Sequence, residues 1–295
     1  MRDHAQPGAL PLRPHTTGEL LDAAVVLLRG RGRLLLGLGF LVALLEQAAL
    51  FPLRRLADVD ISFLPKEGRL SQFGAVVLAG IGLEAFSIAF LGALAATAAP
   101  RALLGPVAPA RRFRFVRAVV IGLVVALLCA STGWAFLVLP VPLQVFGLVL
   151  AGLATALVWP FVYGLLGLAG PVAVVDERGV LRSIGRSIRL ASRSFFRVMW
   201  IRDLGYLAWL LIRLGLTLAT MALVSAFYTS PSALVDNLIM AGTALLVNTL
   251  AYPMLGCLDV ALHLDVRMRT EGLDIALRRS VQRGVAPDAA LAIPA

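Results

Sequence analysis

Six long apolar runs restrict the fold of this 295-residue chain more than any other feature does. Each run approaches or exceeds the roughly 20 residues that an α-helix needs to cross a hydrocarbon layer about 30 Å thick. Hydrophobic residues make up 59% of the chain, which is above the share in ordinary globular domains. The chain is therefore predicted to be an all-α polytopic membrane protein with six transmembrane helices, at residues 34–53, 73–98, 116–139, 143–175, 204–227 and 238–262.

The charges between the runs predict an orientation. Of the 27 lysine and arginine residues, 22 fall on one side of the predicted spans, four fall on the other, and Arg213 lies inside the fifth span. Because an excess of basic residues in short loops marks the cytoplasmic side, we expect both termini to be cytoplasmic. The first 33 residues lack an apolar core followed by a cleavage site, so we expect no removed signal peptide.

Two part-apolar basic segments on that same side are predicted to be interfacial helices, at about residues 17–29 and 178–200. Thr16 and Glu19 have the spacing of a capping box at the start of the first segment. In the second segment, five arginines form a stripe opposite an apolar stripe, namely Arg182, Arg186, Arg189, Arg193 and Arg197. Such a helix suits anionic lipid head groups at the cytoplasmic face, and an acidic partner protein is the alternative.

Prolines and composition predict further details of the organisation. Pro140 and Pro142 predict a tight turn between the third and fourth spans, and Pro160 predicts a kink within the fourth. Cys129 and Cys257 lie within apolar runs and are interpreted as packing residues. The predicted organisation is a flexible cytoplasmic tail at 1–15, a membrane domain at 16–279 and a second flexible tail at 280–295.

Three charges lie deep within the predicted spans, namely Glu46, Glu84 and Arg213. An unpaired charge at that depth costs at least about 2.5–3.5 kcal/mol, so each should have a partner. We hypothesise that Arg213 pairs with Glu84, with Glu46 or with both. Two interpretations stay open, because the charges could fix the register of packed helices or could line a polar cavity or an ion path.

A second charged group closes the sixth span: Asp259, His263, Asp265, Arg267, Arg269 and Glu271. Asp259 with His263 and Asp265 with Arg269 stand four residues apart, which predicts two ion pairs along a cytoplasmic helix end. A single histidine among these carboxylates does not indicate a metal site. The chain has no phosphate-binding loop, zinc-protease motif or nucleophile elbow, so we expect no catalytic residues, no metal and no cofactor.

Three short motifs resemble a family of bacterial, especially actinobacterial, multi-pass membrane proteins related to the membrane domain of some glycerophosphodiester phosphodiesterases. They are GELLD at 18–22, IGRSIRL with FFRV at 184–198, and LDVRMRTEGLD at 264–274. The resemblance implies a six-helix membrane domain in a bacterial cytoplasmic membrane. It does not imply the phosphodiesterase activity, because a catalytic barrel of about 250 residues has no room in this chain.

These features lead to a functional expectation of a non-enzymatic membrane scaffold or accessory subunit, with a membrane-protein partner or a second copy of the chain. The alternative is a small transporter or lipid-handling protein that uses Glu46, Glu84 and Arg213. The net charge of +10 is not accompanied by interleaved aromatic platforms for bases, so we expect no nucleic-acid partner.

Overall fold

The computed structural model describes residues 8–59, 69–105, 108–227, 233–283 and 291. It is 85% helical, and the described residues form no strands, so the all-α class is confirmed. The described helices, in chain order, are α1 (Thr17–Gly30), α2 (Gly32–Leu56), α3 (Leu70–Ala96), α4 (Ala99–Leu104), α5 (Phe115–Ser131), α6 (Ala135–Val138), α7 (Pro140–Leu166), α8 (Ala169–Val175), α9 (Val180–Arg193), α10 (Phe195–Phe227), α11 (Ala233–Glu271) and α12 (Leu273–Gln282).

Five stretches of helix among the described residues are long and apolar enough to cross a membrane: α2, α3, α7 with α8, α10 and α11. The protein is therefore a membrane-embedded helical bundle. The remaining predicted span forms α5, which has only 17 residues, followed by the short helix α6. These two helices lie along α3, since the ring of Phe115 contacts Phe90 and the ring of Phe136 contacts Phe73. The total of six spans stays a prediction.

The bundle has two chemically different ends. At one end, which we call the basic end, residues 8–16, 97–105, 108–114, 176–194 and 263–283 meet. Contacts there include the bond from the Leu10 amide to the Ala102 carbonyl at 2.8 Å and the Arg111–Glu177 ion pair at 2.7 Å. The other end, which we call the opposite end, brings together 54–59, 69–73, 132–139 and Asn237.

Each of the two segments predicted as flexible tails contains described residues that pack against the bundle. Leu10 is buried, and the His15 amide donates to the Asp265 carboxylate at 2.7 Å. Helix α12 continues to Gln282, and the Leu291 carbonyl accepts a bond from Arg267 at 2.8 Å. The remainder of both predicted tails, at 1–7, 284–290 and 292–295, lies outside the described residues.

The predicted interfacial helices form, but with different packing. Helix α1 begins with the predicted capping box, in which Thr16 and Glu19 each bond the other's amide. Its apolar residues Leu20 and Leu27 are buried against the bundle, so this face covers α11 and leaves little apolar surface for lipid. The second predicted segment is divided at Ser194, where α9 ends and the long helix α10 begins.

The turn between the third and fourth spans lies before the prolines that were predicted to form it, and the kink at Pro160 stays a prediction. Pro140 and Pro142 occupy the first turn of α7, where the missing amide costs no helical bond, and the turn itself lies at 132–139. Helix α7 continues through Pro160 and ends at Leu166. Position 167 accommodates only glycine, because a Cβ there would overlap the guanidinium of Arg202.

Helices α3 and α11 approach each other most closely at Gly92 and Gly256, where a Cβ on Gly256 would lie 2.7 Å from the Gly92 amide nitrogen. Backbone atoms on both sides cannot give way, so we expect Gly256→Leu to destabilise the protein by at least about 1–3 kcal/mol. Thermal unfolding in detergent measures this effect. Gly242→Leu is the matched control on the same helix, because no atom lies within 4 Å of a Cβ there; equal melting temperatures for the two variants would contradict the close contact.

Candidate functional site: a polar cavity between α2, α3, α10 and α11

A cavity of about 180 Å³ lies between four helices in the half of the bundle that adjoins the opposite end. Its polar lining residues are Glu46, Gln47, Arg54, Glu84, Arg213, Thr217 and Asn248. On α2, Glu46, Leu50 and Arg54 stand four residues apart and so share one helix face, and Met240, Ala244 and Asn248 do the same on α11. Helical spacing therefore brings the two predicted midplane acids and Arg213 into one lining.

Arg213 and Glu84 form an ion pair across this cavity. The Arg213 Nη2 atom lies 2.7 Å from the Glu84 Oε1 atom, and the Tyr206 hydroxyl donates to Glu84 Oε2 at 2.9 Å. The hypothesised partner of Arg213 is thus Glu84. The pair joins α10 to α3, and the Arg213 side chain keeps 23% of its surface exposed.

Glu46 has neutral partners instead of Arg213. The Tyr252 hydroxyl donates to Glu46 Oε2 at 2.6 Å, and the Asn248 amide group donates to the Tyr252 oxygen at 2.7 Å. The Oδ1 atom of Asn248 is buried and has no hydrogen-bond partner among the described residues. Two residues of the cavity lining, Glu46 and Asn248, therefore carry a carboxylate and a buried amide oxygen, both of which are acceptors.

Arg54 is the functional candidate that the sequence analysis did not identify. It was counted with the loop after the first span, but α2 extends to Leu56 and places Arg54 inside the bundle, where it is only 5% exposed. Its Nη2 atom donates to Gln47 at 2.9 Å, whereas Nε and Nη1 are buried without a partner in the described part of the chain. One feature of the sequence could have identified Arg54: it lies eight residues after Glu46, which is about two helical turns along the same face of α2.

An unpartnered guanidinium in such a place requires an acceptor. Leaving a buried donor unsatisfied costs about 1–3 kcal/mol, and more when the donor is charged. The two nitrogen atoms of Arg54 have almost no accessible surface, so an oxygen atom of a ligand reaches them only when the side chain turns toward the cavity. The Nε atom of Arg213 is likewise buried without a partner among the described residues.

The basic end contains a separate, extensive network of ion pairs. Its central residue is the buried Asp176, whose carboxylate lies 2.5 Å from Arg186 Nε, 2.8 Å from Arg267 Nη1 and 3.2 Å from His263 Nε2. Glu271 bridges the same two arginines. This network joins α9 to α11 at the basic end.

Asp265 forms the second centre of this network. The predicted pair with Arg269 is present at 3.0 Å, and Arg197 lies 3.2 Å away. The carbonyl of His15 accepts from both arginines, and the amide of His15 donates to Asp265. The network therefore ties the segment before α1 to the end of α11.

The predicted Asp259–His263 pair is wrong. His263 lies on Asp176, and Asp259 is bound in a bidentate manner by Arg202, with distances of 2.6 and 3.1 Å. The guanidinium of Arg202 also stacks over the Tyr163 ring at 3.7 Å. Arg202 was predicted to lie among the cytoplasmic arginines. In the structure α10 begins at Phe195, so Arg202 lies about two turns into the bundle.

The arginine stripe is divided between two roles. Arg186 and Arg197 are committed to the network of ion pairs, whereas Arg182, Arg189 and Arg193 are exposed. A depression of about 280 Å³ is lined by Arg178, Arg182, Arg186 and Arg189 around Gly185. The exposed arginines thus keep a basic surface beside the bundle.

The network at the basic end predicts a specific pH dependence. Burial raises the pKa of Asp176, but His263, Arg267 and Arg186 outweigh burial and hold this pKa at about 2, below its ordinary value of 3.8. A carboxylate with a lowered pKa stabilises the fold fully above pH 3.8 and loses that contribution as the pH falls through about 2. We expect Asp176→Asn to lower the free energy of unfolding by about 2 kcal/mol near neutral pH.

Unfolding in detergent at a series of pH values measures this difference. The difference between the unaltered protein and Asp176→Asn should shrink as the pH falls from about 4 to about 2, because both proteins then carry an uncharged side chain at this position. Glu177→Gln is the control, since Glu177 is exposed and pairs only with Arg111 in the described contacts. A difference that stayed constant across this range would contradict the role of Asp176.

No group of three histidine, cysteine or acidic side chains among the described residues is placed to hold a metal ion. Comparison of the chain with protein-family models, with curated proteins and with solved structures finds no match. The resemblance to the phosphodiesterase-related membrane family therefore stays a prediction.

Proposed function

We propose that the protein is a small transporter or lipid-handling protein that holds the charged head group of its ligand in the polar cavity. The observation that carries this proposal is Arg54, a buried guanidinium with two unused donor atoms beside a cavity. Guanidinium groups bind carboxylate and phosphate oxygens through paired hydrogen bonds, and Arg213 offers a second cation on another wall.

The acceptors in the lining define the rest of the head group. Glu46 and the free Oδ1 atom of Asn248 accept hydrogen bonds and so favour a ligand that also carries a hydroxyl or an ammonium group. A head group with a phosphate and an amine satisfies both sets of residues. O-phosphoethanolamine is the simplest soluble probe of this chemistry.

The position of the cavity supports binding from one side of the membrane. The basic half of the bundle is closed by the Gly92–Gly256 contact, the Arg202–Asp259 pair and the Asp176 network. With both termini in the cytoplasm, as the distribution of basic residues favours, the cavity faces the non-cytoplasmic side. Transfer to the other side would require the basic half to open.

The exposed arginines and the family resemblance support the location. We place the protein in a bacterial cytoplasmic membrane, with Arg182, Arg189 and Arg193 against anionic lipid head groups of the cytoplasmic face. An acidic partner protein at that surface is the alternative. We propose no enzymatic activity, and we retain the resemblance only as a relation to the membrane domain of that family.

A scaffold or accessory subunit is the second candidate, and helix α10 favours it. Beyond Arg213 this helix exposes leucines around its whole circumference, among them Leu214, Leu216, Leu218 and Leu223. Such a helix could contact a partner protein or a second copy of the chain in place of lipid. Crosslinking in native membranes would then return a defined complex through α10.

Proteoliposomes test the leading proposal. We expect the purified protein to move fluorescently labelled phosphatidylethanolamine, or O-phosphoethanolamine, across the bilayer. Glu84→Gln should reduce that rate at least about tenfold, because it removes the charge that faces Arg213 while keeping the size of the side chain. Glu177→Gln is the control at the basic end. Rates equal to those of empty liposomes, or a fully active Glu84→Gln variant, would contradict the proposal.

A further inference from the structure

A second, larger cavity adjoins the polar one. It is a groove of about 510 Å³ between α3, α7 and α10, and its lining includes Ile81, Phe136, Ala156, Trp159 and Leu210. Apart from Glu84, Thr155 and two tyrosines, the lining is apolar. A mainly apolar groove of this kind, within the membrane-spanning part of the bundle, matches a hydrocarbon chain.

Glu84 and Val77 line both cavities. Tyr206, on the groove side, donates to one oxygen of Glu84 at 2.9 Å, and Arg213, on the polar side, donates to the other at 2.7 Å. The carboxylate thus forms a boundary between a site for a charged group and a site for an apolar chain. An amphiphile carries these two parts next to each other.

The part of α10 beyond Arg213 faces the lipid. Tyr206 packs against Trp159 with ring centroids 4.5 Å apart, which holds the first part of α10 against α7. Beyond Arg213, in contrast, Leu214 and Leu218 are at least half exposed. A lipid beside this part of α10 therefore lies next to the helix that carries Arg213 and Thr217 into the cavity lining.

We propose that the ligand is a phospholipid of the surrounding bilayer, with its phosphate-bearing head group in the polar cavity and one acyl chain in the groove. This inference rests on the proposed function and adds the substrate class and the route. The phosphate lies between Arg54 and Arg213, and an amine or hydroxyl of the head group faces Glu46 and Asn248. The chain passes Glu84 and lies between Ile81 and Trp159.

Photolabelling of the full-length protein in lipid nanodiscs tests this arrangement. The probe is a phosphatidylethanolamine with a diazirine on one acyl chain, and mass spectrometry locates the label. We expect labelling of the α3 and α7 peptides that contain Ile81 and Trp159. Diacylglycerol with the same diazirine chain should label these peptides much less, because it lacks the head group.

Substitutions in the groove test its role independently of the polar cavity. Ala156→Phe fills the groove and should reduce phosphatidylethanolamine labelling about tenfold, as expected for lost acyl-chain contacts. Ile81→Phe fills the groove from α3, and it replaces Ala156→Phe in the experiment if that variant does not fold. Leu157→Phe adds the same ring on the exposed side of α7 and should label like the unaltered protein.

The outcomes distinguish the two proposals. Equal labelling by phosphatidylethanolamine and diacylglycerol, or unchanged labelling in both groove variants, overturns the lipid arrangement while head-group binding can still hold. Head-group binding is measured separately, as protection of the unaltered protein from thermal unfolding by O-phosphoethanolamine. Protection that survives in Ala156→Phe together with lost labelling supports the arrangement, whereas an absence of protection in every protein overturns the proposed function itself.

Discussion

The Asp259→Ala substitution is expected to lower the free energy of unfolding by about 3–5 kcal/mol, which is the largest effect predicted for any single change in this protein. Arg202 is 2% exposed, and Asp259 supplies both oxygens to its guanidinium. Removing the acid leaves a buried cation with only the face of Tyr163 beside it. Most of the loss is therefore the cost of an uncompensated charge.

Replacing both members of this pair distinguishes the contribution of charge to stability from the contribution of packing. Arg202→Met with Asp259→Leu should recover most of the stability lost in Asp259→Ala, because an apolar pair of similar volume has no charge to compensate. Unfolding of all variants by denaturant in the same detergent measures the difference. Asp22→Ala is the control at an exposed position of α1. If Asp259→Ala unfolded like this control, the buried pair would not stabilise the bundle.

The Arg54→Gln substitution is expected to weaken binding of O-phosphoethanolamine about tenfold to a hundredfold, because a hydrogen bond to a charged group contributes about 1.5–3 kcal/mol. Stability should change little or increase, since the substitution removes two buried donors that have no partner among the described residues. Few substitutions of a buried arginine would weaken binding and leave the fold intact, so the combination is diagnostic of a ligand site.

The neighbouring residue provides a close control for this measurement. Arg55→Gln makes the same chemical change on the same turn of α2, but Arg55 is exposed and does not line the cavity. Isothermal titration in detergent or nanodiscs compares the two variants. Equal affinities in Arg54→Gln and Arg55→Gln would show that the cation in the cavity does not contact the ligand.

The sequence predicted the features that follow from length and from large energetic costs. Apolar runs gave the spanning helices, because no other structure satisfies the backbone in lipid. The cost of a charge at the midplane predicted a partner for Arg213, and Glu84 is that partner in the structure. Helical spacing predicted the Asp265–Arg269 pair.

The remaining features depend on distances between helices, which the sequence does not contain. Helices α2 and α10 extend one to three turns beyond their apolar runs, so Arg54 was assigned to a loop and Arg202 to the basic cytoplasmic segment, although both are buried. The partners of Glu46 are the neutral residues Tyr252 and Asn248. A tyrosine or an asparagine within an apolar run does not indicate which side chain it will bind. His263 could be placed only when α9 and α11 were seen to meet at Asp176.

Accessibility of single cysteines tests the central claim, that the half of the bundle near Arg54 holds a water-accessible cavity whereas the basic half is closed. After Cys129 and Cys257 are replaced by alanine, a cysteine is introduced at Ala244, in the cavity lining, or at the buried Ala261 of the same helix. A charged, membrane-impermeant thiol reagent is added to proteoliposomes. We expect Ala244→Cys to react, O-phosphoethanolamine to slow the reaction, and Ala261→Cys to stay unmodified. An Ala244→Cys variant that resists the charged reagent but reacts with apolar N-ethylmaleimide would contradict the cavity.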